Sequence, residues 1–70
     1  MRIVVAKDDR AVELFRLRFT LREAVERGER GAAVNRALRR LLELGRRAGR
    51  GDLFYEHRRW TIQLDAAQGI

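Results

Sequence analysis

The sequence predicts an α+β, mostly helical fold in which one strand leads into two helices, and three observations carry that expectation. Residues 14–20, LFRLRFT, alternate with period two, placing Phe15, Leu17 and Phe19 on one side and Arg16, Arg18 and Thr20 on the other. That is the pattern of a half-buried strand. Thr20-Leu21-Arg22-Glu23 fits a capping box, in which the hydroxyl accepts from an early helix N–H while the carboxylate reaches back to the Thr amide. From Ala32 to about Arg47, Val34, Ala37, Leu38, Leu41, Leu42 and Leu44 recur at three- and four-residue intervals, as on an amphipathic helix.

Taken in order, Ile3-Val4-Val5-Ala6 is β-branched and reads as a short strand or ordered arm, stopped by the turn-prone Lys7-Asp8-Asp9-Arg10. The strand at 14–20 follows with its arginines outward. A first helix of about two turns starts near Leu21 and ends at Gly28 and Gly31. The second helix carries Asn35, Arg36, Arg39, Arg40 and Glu43 opposite its apolar stripe, and these read as a solvated face. Gly45, Gly49 and Gly51 among arginines then predict a flexible basic linker over residues 46–52. Residues 53–64 hold the single Tyr and the single Trp, and their end has strand character. The chain thus divides into an arm (1–13), a core (14–45) and a linker with an aromatic tail (46–70). A competing parse makes residues 10–27 one long helix and pairs a strand at 3–6 with one at 60–64, giving strand-helix-helix-strand.

Sixteen Lys and Arg against ten Asp and Glu give a net charge of +6 in 70 residues, and only Lys7 is lysine. Such a chain attracts polyanions, and guanidinium forks suit phosphates and guanine edges. Arginine-rich coding of an ordinary surface would yield the same composition. Cys is absent and His57 is the single His, so neither a disulfide frame nor a Cys-based metal site can be built, no cofactor or metal is expected, and an intracellular, cytoplasmic protein follows. No apolar run reaches the roughly 18 residues of a membrane span, and the start meets charge too early for a signal peptide. A chain this short, lacking staples, is expected to dimerise.

A strand with alternating basic residues, a short helix, a Gly-containing turn and a longer amphipathic helix resemble the ribbon-helix-helix family of DNA-binding regulators over residues 14–45. The run RGERGAAVNRAL (27–38) looks like the turn and second-helix start of its antitoxin and plasmid-partition members. The resemblance implies an intertwined homodimer whose paired strands enter the major groove of double-stranded DNA, with Arg16, Arg18 and Thr20 as base readers, although Thr20 is also the candidate cap. It further implies a phosphate clamp at the second helix's first amides, Gly31, Ala32 and Ala33, with Arg27 and Arg30 nearby. Gly31 stands where the family commonly has Ser or Thr, and the first helix is shorter than the family's. Arg16 and Arg18 also fit an ordinary solvated strand face.

Phe54, Tyr55 and Trp60 either complete the core or hold a partner protein, as an antitoxin or partition tail would. No catalytic arrangement stands out: Asp8 and Asp9 fall in a turn, and Glu23 and Glu26 sit among Arg22, Arg27 and Arg30, where ion pairing accounts for them. The expectation is a non-enzymatic, sequence-specific DNA-binding regulator. The alternative is a small interaction module or inhibitor that meets a protein or ribonucleoprotein partner.

Overall fold

Leu14, Leu21 and Ala24 are buried, with Leu17 and Val25 half-buried between them, and this spacing is that of one continuous helix running straight through the expected strand. The structure, a computed structural model, describes residues 9–69. They form α1 (Asp9–Arg27), α2 (Ala32–Ala48) and α3 (Gly51–Ala67), with no strand among the described residues.

The expected α+β ribbon fold is therefore corrected: the described residues form an all-α bundle. In the seven-residue window 14–20 a period of two and a period of 3.6 both accommodate the apolar residues; Leu21 and Ala24 beyond it select the helix. In α1 only Leu17 of the three alternating apolar residues turns inward, while Phe15 and Phe19 face solvent. Thr20 and Glu23 do not form a capping box, because both lie inside α1, well past its start at Asp9. With no strand at 14–20 there is no ribbon to intertwine two chains. The competing parse matches α1 in extent, but its closing strand at 60–64 lies inside α3. Its other strand, at 3–6, lies outside the described residues.

Both connections are glycine-terminated turns. Gly28 takes a left-handed φ of 66°, its N–H donates to the Val25 carbonyl, and the Glu29 N–H donates to that of Ala24 at 3.0 Å. Gly49 repeats the motif at φ 65°, with the Arg50 N–H on the Gly45 carbonyl at 2.8 Å. This pair of bonds satisfies carbonyls that a helix end leaves orphaned. The expected flexible linker at 46–52 is thereby corrected: residues 46–48 complete α2, and only Gly49 and Arg50 separate it from α3. Gly45, expected to end α2, lies buried inside it. A Cβ there would come within 3.1 Å of the Leu53 Cβ and 3.3 Å of the Phe54 ring, so the missing side chain lets α2 and α3 approach.

One end of the bundle gathers Leu14, Leu44, Ala48 and Leu53, and the other brings Gly28 against Ala67, so α1 and α3 run parallel with α2 reversed beside them. Leu21, Leu41, Leu53 and Leu64 are fully buried, drawn from all three helices. Each such side chain contributes about 1.5–3 kcal/mol of burial. Because Leu53 and Leu64 belong to this cluster and Trp60 packs against it, the tail completes the core.

Candidate nucleic-acid interface

The apolar stripe of α2 turns Val34, Ala37, Leu38, Leu41 and Leu44 inward, so its remaining positions must face water. Those positions hold Arg36, Arg39, Arg40, Arg46 and Arg47 against a single acid, Glu43, for a net charge of +4. By contrast, α1 sets five arginines against four carboxylates and α3 two against three, so together they are neutral. Two thirds of the chain's charge of +6 is thus on one helix. Arg36, Arg39 and Arg46 are exposed and have no carboxylate partner among the described residues.

Arg40 is held differently. Its Nη2 donates to Glu13 Oε1 of α1 at 3.1 Å, its Nε to the other oxygen of that carboxylate, and its Nη1 to Glu43 at 2.7 Å. Hydrogen bonding from Arg40 holds both carboxyls below their ordinary range. Arg47 lies 3.7 Å from Glu43. Arg40 therefore ties α2 to α1 and leaves its neighbours to solvent. From Arg36 to Arg46 the face extends about 15 Å along the helix axis. One DNA strand presents a phosphate about every 3.4 Å of duplex axis, so the face is long enough to meet several.

The residues expected to read bases are dispersed. On a helix Arg16 and Arg18 are about 200° apart. Arg16 is exposed, whereas Arg18 grips Glu56 of α3 with Nε at 2.7 Å and Nη2 at 2.8 Å. Glu56 also accepts from Trp60 Nε1 at 3.1 Å, and the Arg18 bonds hold its carboxyl below its ordinary range. Thr20 is half-buried, one turn beyond Arg16 on its side of α1 and away from Arg18, and lines the hollow where α1 meets α2. The three residues share no face, and the readout surface assigned to them is corrected.

The expected phosphate clamp is partly assembled. Arg27, Gly31, Ala32 and Ala33 line one hollow of about 300 Å³ where α1 meets the start of α2, and Gly31 caps α2 in an extended conformation without a side-chain bond to the free amides. Glu23 and Glu29 line the same hollow, however, and Arg27 leans toward Glu23 at 3.9 Å. Two carboxylates beside the amides oppose an anion. Arg30 is turned away, donating to Asp65 of α3 at 3.0 Å and to Asn35 Oδ1 at 3.3 Å.

Of the tail aromatics, Trp60 is half-buried against the core, while Phe54 and Tyr55 are exposed and line a shallow hollow of about 390 Å³ with Gly51 and Arg58. His57 is half-buried, and burial followed by the Arg30 charge lowers its pKa. Among the described residues no three His, Asp or Glu side chains are grouped to hold a metal, and no helix is long and apolar enough to cross a membrane. The α2 arginines are the functional candidates that the reading of residues 14–20 passed over. Their signal is present in the sequence as one acid among five arginines within seventeen residues. No family model, no curated protein and no solved structure matches this chain.

Proposed function

We propose that the protein binds double-stranded DNA as a homodimer, through the outward face of α2, and acts by occupancy rather than by catalysis. The observation that supports this reading is the segregation of charge: +4 on α2 and neutrality on α1 with α3. A surface with a single sign of charge raises the local concentration of a polyanion and steers its approach. An α-helix fits the major groove, where Arg36 and Arg39 would lie nearest base edges and Arg46 on the backbone. Base reading is thereby moved from α1 to α2, with no ribbon involved.

Anisotropy of a labelled duplex across a salt series tests it. Binding should weaken linearly in log affinity against log salt. Replacing Arg36, Arg39 and Arg46 together by Ala should reduce the magnitude of that slope by about 1, at about 0.9 for the phosphate that Arg46 neutralises, and remove about 1–3 kcal/mol of base discrimination for each of Arg36 and Arg39. Arg16→Ala, on α1 and outside that face, should leave the slope unchanged. Absence of low-salt binding, or an unchanged slope in the triple variant, refutes the assignment. Enrichment from a random duplex library separates sequence-specific regulation from backbone binding alone. The second reading, an interaction module for an acidic protein partner, gains support if the same arginines are needed for binding an acidic polypeptide while duplexes do not bind.

A further inference from the structure

An aromatic ring left in water beside an arginine that has no carboxylate offers a flat apolar face and a cation together. The start of α3 holds both. Phe54 is 44% exposed and Tyr55 73%, and with Gly51 and Arg58 they line the hollow of about 390 Å³. No acidic residue among those described lines it. Arg58 is exposed and unbridged among the described residues, because the three carboxylates of α3 bridge Arg18, Arg30 and Arg50 instead. The hollow adjoins the arginine face of α2. A Cβ at Gly45 would come within 3.3 Å of the Phe54 ring, so Phe54 lies on the flank where α3 meets α2. At about 100° per residue, Leu42, Arg46 and then Arg39 follow Gly45 outward around α2, while Arg40, bonded to Glu13 of α1, closes the opposite flank. Around α3, Arg58 and then Tyr55 follow Phe54 outward in the same way. Arg39 and Arg46 therefore border the same solvent-facing valley as Phe54 and Arg58.

We infer that this valley takes an unpaired strand of DNA, with a base stacked in the α3 hollow and the adjoining phosphate on Arg58. Charge and shape together select that occupant. Three arginines without carboxylate partners border the valley and draw a polyanion. The acid further along that side of α3, Asp65, lies two turns beyond Arg58 and is bonded by Arg30. A duplex keeps its base faces stacked inside and offers only edges and phosphates, so exposed rings find no counterpart on it. An unpaired strand presents bare base faces and phosphates side by side, the pair of features that aromatic rings and guanidinium groups take. An acidic polypeptide supplies the charge without the flat faces. The hollow's volume falls within the range of small-molecule sites, about 300–1,000 Å³, which is ample for one base. The choice of DNA rests on the α2 reading, and the strand would run beside the duplex held there. Its test uses strands without a duplex, so the two readings fail separately.

Anisotropy of a labelled oligothymidylate is compared with that of an abasic strand of equal length, which keeps the phosphates and lacks the bases. The parent should bind the thymine strand about 5- to 150-fold more tightly, the range for stacking one base on one ring. Tyr55→Ala should remove most of that preference and Tyr55→Phe should keep it, both with the helical circular dichroism of the parent, because Tyr55 is outside the core. Arg58→Ala should instead reduce the slope of log affinity against log salt by about 0.7, the value for one phosphate of a single strand. A blunt duplex should bind Tyr55→Ala as it binds the parent, so loss of duplex binding alone counts against the α2 reading and not against this one. Equal binding of the thymine and abasic strands overturns the inference, as does a preference unchanged in Tyr55→Ala. Displacement of the strand by polyglutamate at equal charge also overturns it, assigning the valley to an acidic polypeptide. So does a mass of two chains in the parent that falls to one in Tyr55→Glu, which would give the ring to a second copy.

Discussion

Replacing Arg18 by Ala should lower stability markedly, whereas the same change at Arg16 should not, although the two residues look equivalent in the sequence. Arg18 makes two charge-assisted bonds to Glu56, at 2.7 and 2.8 Å, across the α1–α3 contact. Bonds to charged groups contribute about 1.5–3 kcal/mol. The Arg18 side chain is 43% exposed and that of Glu56 18%, so solvent screening reduces the expected loss to about 1–2 kcal/mol. Glu56 also loses part of what orients it toward Trp60. For a chain of this size 1 kcal/mol shifts Tm by about 4–8 °C, so Arg18→Ala should melt roughly 5–15 °C below the parent. Arg16 has no partner among the described residues, and its removal should stay within about 0.5 kcal/mol. Thermal melts followed at the helical dichroism band, at one fixed chain concentration, measure both. A double-mutant cycle with Glu56→Gln should return a coupling of about 1 kcal/mol. Equal melting temperatures for the two Arg variants would refute the three-helix packing at its α1–α3 contact.

Ending the chain at Arg50 should abolish the helical dichroism rather than release a functional core, because Leu53 and Leu64 are fully buried and large-to-small losses at such sites cost about 2–5 kcal/mol each. Stability should also fall on acidification in two stages. His57 has a folded-state pKa below its ordinary 6.5, so the unfolded chain takes up that proton first and stability declines as pH falls below 6.5 toward the lowered value. Glu13, Glu43 and Glu56, held below 4.5 by Arg40 and Arg18, and Asp52, held below 3.8 by Arg50, contribute stability that is complete above those values and lost as pH falls through the lowered ones. Chemical denaturation at a series of pH values should therefore show a plateau above about 6.5; a rise in stability between 6.5 and 5 would contradict the His57 environment.

What could be read from the sequence depended on how long each pattern was. The stripe from Val34 to Leu44 spans three turns, long enough that no strand period fits it, and the helix there has nearly the expected bounds. Residues 14–20 are two turns, and in that space Phe15, Leu17 and Phe19 mimic a strand only because two of the three belong to the outer face. Turn chemistry was half legible. Gly28 and Gly49 terminate helices as glycines after a helix do, but Gly45 in the same arginine-rich run is a packing residue, and nothing local separates a glycine that ends a helix from one that admits a neighbouring leucine. Residues 46–52 looked flexible because Gly49 and Gly51 share the stretch with Gly45 just before it, yet Gly45 packs inside α2 and Gly49 ends it.

The site was misplaced for a related cause. A surface is defined by which side chains the core leaves outside, so assigning Arg16 and Arg18 to one face followed directly from assigning them to a strand. Once α1 is a helix, the arginines separate: Arg18 crosses to Glu56 and becomes structural, and Arg16 stands alone. On α2 the opposite holds, since a strongly periodic core stripe already implies that Arg36, Arg39 and Arg46 share the solvent side. The charge balance of each helix adds what periodicity alone omits. Carboxylates on α1 and α3 are spent on bridges such as Glu56 to Arg18 and Glu13 to Arg40, each joining two helices, and Asp65 to Arg30, which ties α3 to the turn between α1 and α2. Because Glu13 bonds Arg40 and Glu43 is shared between Arg40 and Arg47, Arg36, Arg39 and Arg46 are left without a carboxylate partner among the described residues, and the positive charge of that face is a consequence of how the bundle is tied together.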